Sequence, residues 1–258
     1  MNSQFLDSKR NNSPIYRTIF AFYWSLPYEV RKTIFRLAFP NLYSNWQGLR
    51  QNNQAVEDDY SLAAFDKNKC IFVHIPKCAG VSIAQSLFGN RGGGHKTIIQ
   101  YQLIFSSLEF NTYFKFTIVR NPWDRLVSAF TFLKQGGLTE NDRVWANNNV
   151  NCFPDFHSFV INWVNLRNIY TYYHFVPQHE FLLEPKTKKL SVDFVGKFET
   201  LEYDYKKICE RLNISASLSK QNKTMDRFDE YRNYYDDQTK NIVANVYQRD
   251  IELFGYMF

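Results

Sequence analysis

Residues His74–Ser82 read HIPKCAGVS; they close the run CIFVHI (Cys70–Ile75) and open the segment VSIAQSLF (Val81–Phe88). The fold follows from how this stretch is read. Cys70–Ile75 is short, apolar and rich in β-branched residues, the signature of a strand covered on both faces. In Val81–Phe88 the apolar residues Val81, Ala84, Leu87 and Phe88 recur at helical spacing. A strand, a Gly-containing loop and a helix in that order make half of a βαβ unit. Backbone N–H groups at such a turn, together with the positive end of the helix, form an anion site. Lys77 adds a full charge and Ser82 a hydroxyl. The common triphosphate loop, GxxxxGK[ST], has its lysine directly before the Ser/Thr. Here the lysine comes early, before Gly80, and no acidic residue ends the next strand to hold magnesium. Taken alone, the stretch fits a phosphate cradle and an ordinary βα turn equally well.

Further along, the alternation continues. YFKFTIVR (Tyr113–Arg120) reads as a second strand, and NPWDRLVSAFTFLK (Asn121–Lys134) as a helix with Pro122 in its first turn, where proline is tolerated. Residues 135–153 read as a long polar loop, Pro154–Val164 as an amphipathic helix, and Asp193–Glu199 as a third strand. Leu201–Asn213 and Asp236–Phe254 read as helices. GNRGGGH (Gly89–His95) reads as a flexible loop. Alternating strands and helices predict an α/β fold with a P-loop-like, mainly parallel sheet flanked by helices. Ligands of such sheets lie at the carboxyl ends of the strands.

Arg120 ends the second strand and is therefore expected at the same sheet edge as Lys77. Ser128 follows eight residues later, about two turns into the helix at ~1.5 Å per residue. An arginine and a serine hydroxyl suit a second phosphate. The plainer alternative pairs Arg120 with Asp124 and leaves Ser128 as a helix filler.

Together, HIPKCAGVS and FTIVRNPWDRLVSAF resemble the two donor-binding motifs of the sulfotransferases that use 3′-phosphoadenosine 5′-phosphosulfate (PAPS), specifically the carbohydrate sulfotransferase-like branch, sulfotransferase family 2. HFVPQHEFL (His174–Leu182), DFVGKFETLEYDY (Asp193–Tyr205) and Tyr234–Tyr256 are similar to later segments of that family, so the resemblance covers residues 70–257. It implies that Lys77, with Cys78, Ala79, Gly80, Val81 and Ser82, cradles the 5′-phosphosulfate, and that Arg120 and Ser128 hold the 3′-phosphate. Family members often carry Thr where this chain has Val81, which removes one hydroxyl. The implied reaction is transfer of a sulfuryl group from PAPS to a hydroxyl of a carbohydrate or glycan-bearing acceptor, without a metal. The acceptor hydroxyl needs a base, and histidine suits the task with its ordinary pKa near ~6.5. His95, just after the glycine run, is the first candidate and His174 the second; His74 is expected to shape the loop.

Composition sets the outer limits. With 45% hydrophobic and 22% charged residues in 258, the chain can build a sizeable core. A net charge of +6 suits an anionic ligand. Its Lys and Arg are not gathered into blocks, so nucleic acid is not the expected partner. Cys70, Cys78, Cys152 and Cys209 show no CxxC pair and no ligand spacing to histidine, which reads as reduced thiols in the cytoplasm. Residues 1–66 are expected to form an N-terminal extension, partly helical, ahead of a sulfotransferase domain at 67–258. Within the extension, Ile15–Pro40 is aromatic and apolar but interrupted by charges, which predicts either peripheral contact with the inner membrane face or a helix packed on the domain. Two rival readings are a P-loop nucleotide kinase or NTPase, which requires magnesium and an acidic ligand, and a catalytically inactive module that binds anionic polysaccharide.

Overall fold

The computed structural model describes residues 14–218 and 230–258; residues 1–13 of the expected extension lie outside the described residues. Two compact units divide the chain. One comprises 14–75, 79–118 and 180–218, and the other 76–78, 119–179 and 230–258.

The first unit opens with helices α1 (Pro14–Ser25), α2 (Tyr28–Ala38), α3 (Pro40–Gln51) and α4 (Ala63–Asn68). Strand β1 (Cys70–Val73) follows, then α5 (Gly80–Phe88), α6 (Ile98–Ile104), α7 (Ser107–Thr112) and β2 (Phe114–Val119). In the second unit lie α8 (Pro122–Lys134), α9 (Glu140–Asn149) and α10 (Phe156–Trp163). The first unit resumes with β3 (Phe194–Lys197) and α11 (Leu201–Leu212), and the second closes with α12 (Asp237–Val246) and α13 (Gln248–Phe254).

The sheet has the order β1-β2-β3, with β1 and β2 parallel in the register Cys70↔Phe114 to Val73↔Thr117. All of β1 is buried, and β2 is buried beyond its first residue. That double-sided burial explains why both strands read as continuous apolar runs rather than alternating ones. Phe72 stacks on Phe116 with ring centroids 5.0 Å apart. The Thr117 hydroxyl, the one carried by these two strands, donates to the Val73 carbonyl at 2.7 Å, so the buried polar group is satisfied. The expected α/β class, a parallel sheet flanked by helices, is the class observed.

The apolar stretch after residue 14 becomes two helices, because Pro27 stands at the start of α2 and separates it from α1. The inner face of α2 and the side of α3 terminate α6. Lys32 Nζ donates to the Phe105 carbonyl at 2.7 Å, and Gln47 Nε2 donates to the Ile104 carbonyl at 3.0 Å. These are carbonyls that the end of a helix leaves without intrahelical partners. Arg31 and Phe35 are buried, whereas Val30, Ile34 and Leu37, at i, i+4 and i+7, remain exposed on the other face. Among the described residues, no helix is long and apolar enough to cross a membrane.

Two expectations need correction, and one further stretch, left without an assignment in the sequence, is helical. Residues 135–153 are not one loop: α9 lies within them, opened by a reciprocal capping box between Thr139 and Asp142. Residues 89–112 hold α6 and α7, and α6 is buried at every position, so it shows no amphipathic period. The last helix is two, broken at Tyr247, whose φ of −107° and ψ of 20° leave the helical region.

The core of the second unit is aromatic. Trp123, Phe130, Phe156, Phe159, Trp163, Phe175 and Tyr247 are buried together. The side chain of Asn121 accepts from the Trp123 N–H at 3.1 Å, and Pro122 follows it at the first helical position; together they fix where α8 starts after β2.

Candidate active site

The loop between β1 and α5 turns through two non-glycine residues in the left-handed region, Lys77 at φ 68° and Ala79 at φ 59°. Such residues cost of order 1 kcal/mol each and persist only where the surroundings demand them. Helix α5 then starts at Gly80. A Cβ on Gly80 would fall 1.8 Å from Cδ2 of the His74 ring, so glycine alone lets the backbone lie against that ring. Ser82 is buried in the first turn of α5 and Val81 is half-buried.

His74 is buried and carries His95 on its edge, with ring centroids 4.3 Å apart. His95 Nδ1 lies 3.2 Å from the His74 carbonyl. When Nδ1 carries the proton and donates to that carbonyl, Nε2 keeps its lone pair. The glycine run before His95 is pinned rather than loose. Gly92 N–H donates to the Asn90 side chain at 2.8 Å and the Gly92 carbonyl accepts from Ser61 N–H at 3.0 Å. A Cβ on Gly93 would collide with the Tyr101 hydroxyl at 2.3 Å.

The second unit gathers the other candidates. Arg120 is buried and forms a two-pronged ion pair with Asp124, Nε to Oδ2 at 2.6 Å and Nη2 to Oδ1 at 2.8 Å. Its Nη1 donates to the Lys77 carbonyl at 3.2 Å, which ties the strand-end arginine to the loop lysine. The plainer pairing of Arg120 with Asp124 is therefore real, and it fixes the plane of the guanidinium. Lys77 is half-buried, with its Nζ 3.8 Å from the centre of the Phe132 ring. Burial, and then the positive charge of Arg120, push Lys77 down to about 8. Ser128 is half-buried two turns into α8, one turn before Phe132.

His174 is buried, with Nε2 3.4 Å from Asp142 Oδ1. Burial lowers its pKa against the raising influence of Asp142. Asp142 is itself a hub. It accepts from the Tyr172 hydroxyl at 2.5 Å, the Tyr173 hydroxyl at 3.0 Å and the Thr139 N–H at 3.0 Å. These hydrogen bonds hold its carboxyl well below the usual range, although burial opposes them.

Sequence reasoning missed two residues of this unit. Arg125 is almost fully buried, and its guanidinium donates to three backbone carbonyls: Pro76 at 3.0 Å, His174 at 3.1 Å and Val176 at 2.9 Å. It thereby fixes the loop bearing Lys77 to the segment bearing His174. Gln178 is fully buried and pairs with the backbone of Arg120 in the manner of a neighbouring strand. Its Oε1 accepts from the Arg120 N–H at 2.8 Å and its Nε2 donates to the Arg120 carbonyl at 2.8 Å. The Cys78 thiol donates to the same Oε1 at 3.3 Å. The PQ dipeptide at Pro177–Gln178 was a signal for this residue. Nothing in the sequence marks the three carbonyls that Arg125 meets.

All four cysteines are unbridged. Among the described residues, no group of three or more His, Cys, Asp or Glu side chains converges as a metal site. A family model described as the sulfotransferase family matches residues 61–257, well over half of the chain. No curated protein and no solved structure gives a significant match.

Proposed function

The chain belongs to the sulfotransferase family, a family of PAPS-dependent transferases of sulfuryl groups, and from that premise we propose that it moves the sulfuryl group of PAPS to a hydroxyl of a carbohydrate or glycan-bearing acceptor and releases 3′,5′-ADP. The observation that carries this reading is the pairing of two cations, Lys77 on the loop after β1 and Arg120 at the end of β2, through the Lys77 carbonyl. Two anion sites held in register suit a nucleotide with phosphates at both its 3′ and 5′ positions. A donor with its phosphates at one end alone does not need the second.

The residues fit the donor. Gly80 lets the start of α5 present its backbone N–H groups, and the left-handed turn at Lys77 and Ala79 shapes the cradle. In this reading Lys77, Cys78, Ala79, Gly80, Val81 and Ser82 hold the 5′-phosphosulfate, while Arg120, oriented by Asp124, and Ser128 hold the 3′-phosphate. PAPS supplies the activated sulfuryl group. Lys77 stabilises the negative charge that develops on the leaving oxygen, an interaction stronger in the transition state than before it. His95 takes the acceptor's proton through Nε2, with Nδ1–H held by the His74 carbonyl. His174 is the weaker candidate, since it is buried at 4% exposure and engaged with Asp142.

The test is incorporation of labelled sulfate from PAPS into a panel of polysaccharides and glycolipids. Incorporation into at least one glycan is expected. His95→Ala should abolish it while leaving affinity for 3′,5′-ADP within about twofold of wild type. Sulfation confined to small phenols or amines would sink the carbohydrate assignment. Substantial residual activity of His95→Ala would move the base to His174.

A further inference from the structure

Lys77 is held in an unusual way for a half-buried cation. Among the described residues, no carboxylate or carbonyl accepts a hydrogen bond from its Nζ; what the ammonium meets is the face of Phe132, at 3.8 Å from the ring centre. Taking a charge partly out of water without a hydrogen-bonding partner is costly, and the negative face of an aromatic ring offsets part of that cost. It does so without neutralising the charge, as a carboxylate would, and without a lone pair to engage the three N–H donors of the ammonium.

The ring is braced. Phe132 meets His174 edge-on with centroids 5.1 Å apart, the His174 carbonyl accepts from Arg125, and His174 Nε2 stands against Asp142. Phe132 also lies four residues after Ser128 on α8, so the two share one face of the helix, with Cβ atoms about 5–6 Å apart at that spacing. One helix face thus presents the serine assigned to the 3′-phosphate and, one turn on, the ring under the lysine assigned to the 5′-phosphosulfate.

We propose that Phe132 is the positioning residue for Lys77: its face seats the ammonium over the donor loop and leaves the lysine's N–H donors to the sulfuryl and phosphate oxygens of the bound nucleotide. This rests on the assignment of Lys77 to the 5′-phosphosulfate. Helix α8 then acts as a ruler that sets the spacing between the two anion sites of the donor.

The experiment compares two nucleotides by calorimetry on the full chain. PAPS engages both anion sites, whereas adenosine 3′-monophosphate engages only that of Arg120 and Ser128. In Phe132→Leu, the dissociation constant for PAPS should rise about tenfold, the scale of a partly desolvated cation–π contact. Adenosine 3′-monophosphate should bind as it does to wild type. Phe132→Tyr should keep PAPS affinity within about threefold, since its ring face is retained. Replacing Phe132 by 3,4,5-trifluorophenylalanine, which has the same shape but an electron-poor face, should reproduce the loss seen in Phe132→Leu. Unchanged PAPS affinity in Phe132→Leu, or equal loss of both nucleotides, overturns the proposal. Retained affinity in the trifluoro variant overturns it too, because packing alone would then suffice. Lys77→Ala run in parallel separates the two levels. If it binds PAPS normally, the assignment of Lys77 fails; if it loses PAPS while Phe132→Leu does not, only the role of Phe132 fails.

Discussion

At the scale of single residues, donor binding in the proposed reaction depends on how much charge Lys77 carries. Its pKa of about 8 places the ammonium close to its titration at physiological pH. In the proposed site the protonated form is the one that binds the anionic donor, so affinity should be fullest below this value and decline as pH rises through it. Between pH 7 and pH 9 the PAPS dissociation constant should rise about tenfold by the titration of one such group. Lys77→Arg should flatten that profile, because arginine stays charged throughout. A flat wild-type profile would show that Lys77 does not titrate against the donor. The same scale shows what a sequence conceals. Lys77, Gly80 and Arg120 stood out as candidates because their types and spacing suit anion binding. Arg125 and Gln178 act on backbone groups of residues far along the chain, 49 and 58 positions away. No local pattern encodes such partners.

At the scale of elements, the strands and most helices were legible because burial writes itself as period: continuous in β1 and β2, helical in α5, α8 and α11. Helix α9 was not. Its buried residues are Asp142 and Ala146 alone, so it lacks an apolar stripe, and its run of asparagines reads as loop. The Thr139–Asp142 capping box was the signal present, and Asp142 holds the helix together with Trp145 and Ala146, which pack into the aromatic core of the second unit. Asp142→Ala should therefore act beyond α9. It removes the acceptor of the hydroxyls of the half-buried Tyr172 and Tyr173 and the neighbour of the buried His174. Leaving a fully buried donor without an acceptor costs about 1–3 kcal/mol, and a partly buried one less. Thermal unfolding should show a fall in Tm of several degrees, with Asp142→Asn losing less than the alanine variant. An alanine variant as stable as wild type would remove Asp142 from its place as the hub of this region.

At the scale of the whole molecule, the family match over residues 61–257 and the parallel β1–β2 pair agree with the class read from two motifs. The helices of the first 66 residues illustrate the limit of that reading. Their amphipathic pattern predicted a packed face or a membrane face. The structure shows Lys32 and Gln47 bonded to the end of α6 on one side, and Val30, Ile34 and Leu37 exposed on the other. Sequence period shows that two faces differ and is silent on what each one meets. In the proposed reaction, specificity for the donor needs Lys77 and Arg120 at once. The most direct measurement is calorimetric binding of 3′,5′-ADP, PAPS and ATP, each with and without magnesium. The account predicts tight binding of 3′,5′-ADP and PAPS that is indifferent to magnesium, and at least tenfold weaker binding of ATP, which lacks the 3′-phosphate for Arg120 and Ser128. Preferential, magnesium-dependent binding of ATP would contradict it.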